Sequence, residues 1–289
     1  MVGIEELDPK HWIQWCPGCG NFGIVNAVRK AIAELNIDPK DVVVISGIGC
    51  SGKIPHYIKT YGFEGIHGRA LPPAMAIRLV NPNLKVIVHT GDGDNYGIGL
   101  NHWIQNMRRN IDIVHIVHNN HIYALTKGQA SPTTYYHVIT KSTLHGNPEH
   151  AINPIALAIE AGATFIARGF SGDLAHLTEL VKKALQHRGY AFIDVLQPCV
   201  SMNPSMDYSY YSSRIYKLED TDYEPYDKNA ALAKAWEGYE KDDKIPIGVF
   251  YVEQKEILED EYKDINTPIP AALQDIENVD IEDLLEEYV

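Results

Sequence analysis

Apolar residues recur at helical spacing through FGIVNAVRKAIAELN, which begins at Phe22, and the turn-forming IDPKD after it predicts that a helix ends there. The β-branched run VVVIS follows and opens into the glycine-rich GIGCSGK. The same alternation returns as LKVIVHT, GDGDNYGIG, the helical-period LNHWIQNMRRN and then IDIVHIVHNN. Strand, loop, helix and strand make a βαβ unit, and strands that are apolar almost without interruption belong to a parallel sheet covered on both faces. Helices at INPIALAIEAG and DLAHLTELVKKALQH and strands at TFIAR and AFIDVLQP extend the series. After Pro204 the tyrosine-rich MDYSYYSSRIY reads as irregular chain crossing the surface, followed by a helix near NAALAKAWEGYE and a strand at IGVFYV. The expectation is an α/β chain on a doubly wound, mostly parallel sheet, with residues 1–203 as the ligand-binding domain and 204–289 as a C-terminal extension packed on it.

A chain of 289 residues with 45% apolar and 22% charged residues has an ordinary globular composition and the length for a sizeable core. No stretch approaches the roughly 20 consecutive apolar residues of a membrane helix, and the acidic start MVGIEELDPKHW lacks the apolar segment of a secretory signal, so a cytoplasmic location is expected. A formal net charge of -13 repels phosphate backbones and anionic lipid surfaces, so neither nucleic acid nor a membrane is an expected partner. Much of that charge falls in EILEDEY and DIENVDIEDLLEEYV, which read as a solvated acidic tail with one amphipathic helix at IEDLLEEYV.

Open parallel sheets bind ligands at the carboxyl ends of their strands, where GIGCSGK and GDGDNYG both fall. In GDGD, Gly91 and Gly93 let backbone N–H groups approach a phosphate, the following helix turns its positive end toward it, and the Asp92 carboxylate suits a hard cation. The next strand ends in Asn119-Asn120, and an asparagine carbonyl oxygen there is a neutral ligand across from Asp92. This spacing resembles the diphosphate motif of thiamine-diphosphate enzymes. The resemblance implies that Asp92 and Asn120 bind Mg2+ through their side chains and Ile122 through its backbone carbonyl.

The chain has four cysteines, Cys16, Cys19, Cys50 and Cys199. Cys16-Pro17-Gly18-Cys19 is a C-x-x-C whose glycine permits the tight turn that aims both sulfurs at one centre. Cys50 lies in GIGCSGK and Cys199 follows the strand AFIDVLQP, so a parallel sheet can bring all four to one edge. Ligand softness alone leaves open a zinc site, an iron-sulfur cluster or unrelated buried thiols, and disulfides are disfavoured without a secretory signal.

WCPGCGNFGI, GIGCSGKIPHY, HGRALPPAMAIRL, GDGDNYGIGLNHWIQNMRRN and NNHIYALTKGQASPTT, in this order, resemble the beta subunit of the archaeal-type 2-oxoacid:ferredoxin oxidoreductases. The likeness is specific from Trp15 to Thr134 and weaker through LQPC at Cys199 and KIPIGVFY. It implies a thiamine-diphosphate-binding fold with thiamine diphosphate, Mg2+ and one 4Fe-4S cluster on the four cysteines. The implied reaction is coenzyme A-dependent oxidative decarboxylation of a 2-oxoacid of the pyruvate, 2-oxobutyrate and 2-oxoglutarate class, yielding acyl-CoA and carbon dioxide, with electrons passed through the cluster to ferredoxin.

By the same resemblance Ile48, Gly49, Cys50 and Ser51 line the thiamine, His67 reaches its diphosphate, and Gly93, Asp94, Ala124 and Leu125 complete the pocket. Lys53 and Lys127 face the substrate or coenzyme A side, with Leu125 shaping its apolar part. His89, His115 and His118 read as strand residues of the core or of the layer just behind the site. No glutamate in these motifs sits where a carboxylate would activate the thiamine ring, and the resemblance assigns that group to an alpha or alpha-gamma partner subunit. A non-oxidative thiamine-dependent 2-oxoacid decarboxylase subunit explains GDG and NN but has no use for the cysteines. A zinc-stabilised binding subunit explains the cysteines but has no use for the cation clamp.

Overall fold

The computed structural model describes residues 2–240, 243–264 and 270–274, and the amphipathic helix expected at IEDLLEEYV lies outside them. The strands are β1 (Val42–Ser46), β2 (Tyr61–Glu64), β3 (Lys85–Gly91), β4 (Val114–Asn119), the short pair β5 (Ile122–Tyr123) and β6 (Gln129–Ala130), β7 (Phe165–Phe170), β8 (Ala191–Leu196), β9 (Ile215–Lys217) and β10 (Ile245–Val252). The helices are α1 (Asn21–Glu34), α2 (Leu71–Val80), α3 (Leu100–Arg109), α4 (Pro154–Ala161), α5 (Leu174–Gln186), α6 (Tyr208–Ser212), α7 (Lys228–Ala235) and α8 (Leu258–Asp264). Eight strands form one sheet in the order β2-β1-β3-β4-β8-β7-β10-β9. Only the β7/β10 pair is antiparallel within it.

Side chains of the central strands alternate between two cores, which is why those strands read as almost continuously apolar. Val42 and Val44 of β1 pack on one face with Ile24, Val28 and Ile32 of α1 and Leu177, Leu180 and Val181 of α5. Val43 and Ile45 pack on the other with Leu71 of α2, Trp103 and Met107 of α3, Ile155 and Ile159 of α4 and Ala231 of α7. Prolines at the start of α2 and α4 sit where a helix has no N–H to lose. Among the described residues no helix is long and apolar enough to cross a membrane.

The chain after Pro204 is more ordered than its sequence suggests, because MDYSYYSSRIY forms α6 and β9. Asp207 caps α6 by accepting from the Tyr210 N–H, and Tyr211 is fully buried with Phe170, Leu196, Met206, Ile245 and Ile247. The tyrosines are therefore partners of distant strands, a contact that local periodicity does not record. With β9 and β10 the same stretch completes the main sheet, so that sheet is continuous across residue 203. Arg78 of α2 anchors α8, with Nε 2.7 Å from Glu259 Oε1, while its other nitrogens reach Asp112 Oδ2 at 2.7 Å and the carbonyls of Pro82 and Leu84.

Three strand histidines lie inside. His89 Nδ1 is 2.9 Å from His118 Nε2, and His115 sits between the Thr90 hydroxyl at 2.8 Å and the Tyr190 hydroxyl at 2.7 Å. Burial pushes His89 and His115 down to about 3, so both are neutral at pH 7. Because the folded value lies below the unfolded one, the stabilising contribution is complete above about pH 6.5 and is lost as pH falls toward 3. The buried carboxyls of Asp92 and Asp94 are pushed up and act with the opposite sign, so the His115→Gln difference isolates the histidine. Urea unfolding between pH 6 and 5 should show the variant losing about 1.4 kcal/mol per pH unit less than the parent. Equal slopes for the two proteins would show that His115 charges freely in the folded state.

Candidate functional site

Register makes the site. Ser46 lies opposite His89, Gly91 opposite His118 and Asn119 opposite Leu196, so β1, β3, β4 and β8 end nearly level. The chain leaving those ends supplies residues 47–51, 92–94, 120–122 and 197–199 to one edge, and His67 enters from the loop after β2. The strand order reverses there: β1 is flanked by β2 on one side and β3 on the other. Such a reversal opens the crevice in which sheets of this kind bind ligands.

A cavity of about 310 Å³ fills that crevice. It is lined by Ile48, Gly49, Cys50, Ser51, His67, Gly91, Asp92, Gly93, Asp94, Asn120, Ile122, Ala124 and Leu125, all expected from the sequence, and also by His118, Tyr123, Thr126 and Gln197. Its size is within the range of small-ligand sites. Ser51 Oγ and Asp94 Oδ2 are buried without a hydrogen-bond partner. Unpaired polar atoms on the wall of a cavity suit a polar ligand.

Asp92, 2% exposed, is fixed by two hydroxyls that the sequence reading missed: Ser131 Oγ donates to Oδ2 at 2.5 Å and Thr133 Oγ1 at 2.7 Å. Both lie in the SPTT stretch just past the β5/β6 pair, which ends the NNHIYALTKGQASPTT motif but shows no periodicity that would tie it to Asp92. Burial raises the Asp92 carboxyl above the usual range, and these two donors pull it back only in part. Asn120 Oδ1 accepts from the Ile122 N–H at 3.1 Å, which leaves it a second lone pair.

Asp94 holds the loops. Its Oδ1 accepts from the Gly68 N–H at 2.6 Å and the Ile48 N–H at 3.4 Å and lies 2.7 Å from His67 Nδ1, close enough for an ion pair although the ring is not aimed along a linear hydrogen bond. Burial raises the Asp94 carboxyl as well. Two glycines make this fit. A Cβ on Gly47 would lie 1.8 Å from Asp94 Oδ2, and one on Gly93 would lie 2.2 Å from the Tyr123 ring, whose hydroxyl donates to the Gly93 carbonyl at 2.9 Å.

A second cavity of about 130 Å³ shares a wall with the first through Cys50, Asn120, Ala124, Leu125 and Gln197. All four cysteines line it, together with Lys53 and Lys127. The two lysines therefore stand beside the thiols and do not line the larger cavity. Hydrogen bonds tie the three cysteine-bearing segments together: the Trp15 indole donates to the Cys50 carbonyl at 2.8 Å, and the Gly20 N–H to the Pro198 carbonyl at 3.1 Å. Burial pushes the Cys19 thiol up to about 12 and also raises Cys50 and Cys199. Among the described residues no three His, Cys, Asp or Glu side chains converge closely enough to hold a single metal ion. The four cysteines share the wall of one cavity.

Residues 47–195 match the thiamine pyrophosphate enzyme C-terminal TPP-binding domain, and residues 199–267 match the C-terminal segment of pyruvate ferredoxin oxidoreductase beta subunits. A 2-oxoacid:ferredoxin oxidoreductase subunit beta of Saccharolobus solfataricus is 51% identical over 260 residues, covering 87% of this chain and 84% of the relative. The chain belongs to the 2-oxoacid:ferredoxin oxidoreductase beta-subunit family. An Aeropyrum pernix 2-oxoacid:ferredoxin oxidoreductase 1 subunit beta is 48% identical over 91% of this chain and 84% of that one. The solved structure of 2-oxoglutarate:ferredoxin oxidoreductase from Magnetococcus marinus, which has 2-oxoglutarate, coenzyme A and succinyl-CoA bound, superposes with a TM-score of 0.88 at 31% identity over 100% of this chain and 96% of that one. An oxidoreductase subunit with a thiamine-diphosphate fold is thereby established.

In this beta subunit the Gly93–Tyr123 approach fixes the floor of the larger cavity, and it can be tested by a double-mutant cycle. Gly93→Ala should cost about 1–3 kcal/mol in urea unfolding through overpacking, and adding Tyr123→Leu should recover part of that loss. Strict additivity of the two substitutions would show that the ring contact does not set the constraint.

Proposed function

We propose that this beta subunit binds thiamine diphosphate and Mg2+ in the larger cavity and a 4Fe-4S cluster in the smaller one, and with partner subunits carries out coenzyme A-dependent oxidative decarboxylation of a 2-oxoacid with ferredoxin as electron acceptor. The observation that carries the proposal is the shared wall: a phosphate-and-cation cradle and a four-thiol cavity are separated only by Cys50, Asn120, Ala124, Leu125 and Gln197. A non-oxidative decarboxylase would need the first cavity alone. Bound thiamine diphosphate supplies the electron sink that lets a 2-oxoacid lose carbon dioxide.

The residues fit both groups. Asp92 offers a buried carboxylate and Asn120 and Ile122 offer neutral oxygens, a donor set for a hard cation bridging a diphosphate. The backbone around Gly91 and Gly93 admits phosphate oxygens, and His67, oriented by Asp94, supplies a donor beside them. A single zinc would draw four sulfurs to about 2.3 Å of one point. Four thiols lining one cavity of about 130 Å³ suit a cluster of several atoms better.

Among the described residues no glutamate lines the larger cavity, and its wall carries the exposed side chains of Ile48 and Leu125. Both features support a partner subunit that covers the mouth and contributes the ring-activating carboxylate. Lys53 and Lys127, beside the cysteines, are proposed to meet the anionic groups of coenzyme A or substrate.

Two experiments bear on the cofactors. Asp92→Ala should abolish Mg2+-dependent thiamine diphosphate binding in calorimetry while leaving the thermal transition measurable, since the diphosphate loses its cation bridge. Wild-type affinity in that variant would remove Asp92 from the site. Anaerobically purified protein should be brown with about four irons per chain, and Cys50→Ser should lose the colour. Stoichiometric zinc without visible absorption would overturn the cluster reading.

A further inference from the structure

Gln197 is 2% exposed and lines both cavities. Its amide orientation is set by its neighbour: the Pro198 carbonyl can only accept, and it lies 2.8 Å from Nε2, so that atom is the nitrogen. The second Nε2 proton faces Cys19 Sγ at 3.5 Å. On the other side Oε1 accepts from Asn120 Nδ2 at 3.0 Å. Sheet register produces this placement, since Asn119 pairs with Leu196 and the Gln197 N–H donates to the Asn119 carbonyl at 2.9 Å. Asn120 and Gln197 are thus the next residues on two adjacent parallel strands.

One buried amide consequently touches a proposed cluster ligand and a proposed magnesium ligand. We infer that Gln197 is a positioning residue with two separable roles: its N–H···S contact with Cys19 raises the reduction potential of the cluster, and its carbonyl holds Asn120 with Oδ1 turned to the cation. The inference rests on the cofactor reading given above. A hydrogen bond to a thiolate stabilises the more negative, reduced cluster, so its loss lowers the potential. Accepting from Asn120 Nδ2 leaves Oδ1 as the only side-chain oxygen able to face the larger cavity.

The two roles come apart in two variants of the assembled complex. Gln197→Glu keeps an acceptor for Asn120 and removes the N–H donor, whereas Gln197→Leu removes both. The readouts are the cluster midpoint in a spectroscopically monitored redox titration, iron content, and the Mg2+-dependent affinity for thiamine diphosphate. Gln197→Leu should shift the one-electron equilibrium about tenfold toward the oxidised cluster, roughly 59 mV, and Gln197→Glu should shift it the same way and further, because its carboxylate adds negative charge beside the cluster. Only Gln197→Leu should weaken thiamine diphosphate binding, by about tenfold, and should Gln197→Leu fail to fold, Gln197→Met, which also lacks the N–H donor and adds no charge, decides the potential. An unchanged midpoint with full iron content overturns the tuning role, and unweakened cofactor binding in a folded Gln197→Leu overturns the orienting role. A wild-type complex without iron overturns the cluster reading itself, a result distinct from either.

Discussion

Asp92 is an acid placed where water does not reach. It is 2% exposed, its hydrogen bonds come from the neutral hydroxyls of Ser131 and Thr133, and burial lifts its carboxyl above the usual range. A buried charge persists only when paired, and Asn120 and Ile122, which line the same cavity, offer neutral oxygens that satisfy a hard cation and do not themselves supply a counter-charge. The geometry around it follows from that need. β3 and β4 end level and set Asp92 and Asn120 on one edge, and residues 47 and 93 lack a Cβ, which leaves room for Asp94 and the Tyr123 ring to pack against them. Substituting hydrophobic residues here would relieve the electrostatics and empty the site of purpose.

The smaller cavity repeats the problem with softer atoms. Burial holds Cys19, Cys50 and Cys199 as thiols, and the Cys16 sulfur opposes the ionisation of all three. Metal binding would reverse this by deprotonating them, so loading both cavities converts buried neutral acids into paired anions and releases protons. Stability and cofactor content are then linked quantities, because whatever binds only the folded chain stabilises it.

The βαβ core was legible because each of its strands is buried on both faces and its loops carry glycine at the carboxyl edge. The same logic brings Asp92, Asn120, Cys50 and Cys199 toward one edge from the sequence alone. Three kinds of feature were not legible. β2 is a four-residue edge strand with every side chain exposed, so it carries no burial pattern. α6 and β9 owe their order to Tyr211 packing on strands far away in sequence. Ser131, Thr133 and Gln197 act through hydrogen bonds to partners 39, 41 and 77 positions distant, and small polar residues in loops have no period to betray such contacts.

Lys53 and Lys127 show why net charge and local charge must be kept apart. The chain carries a formal charge of -13, yet at the mouth of the cysteine cavity stand two ammonium groups, one half-buried with Nζ 3.2 Å from the Gln14 carbonyl and one exposed on backbone at φ 83°. Both favour the Cys50 thiolate, although burial outweighs them. Screening at physiological salt limits the reach of any exposed charge to about 8 Å, so an arriving anion responds to these two groups and not to acidic residues elsewhere on the surface. The positive φ at Lys127 places a non-glycine residue in left-handed backbone just before Gly128, and hydrogen bonds from the Lys127 N–H to the Ala124 carbonyl and from the Gly128 N–H to the Tyr123 carbonyl hold that turn. The ammonium is therefore presented by a turn anchored on the wall common to both cavities, which ties its position to the same strand ends that carry Asn120.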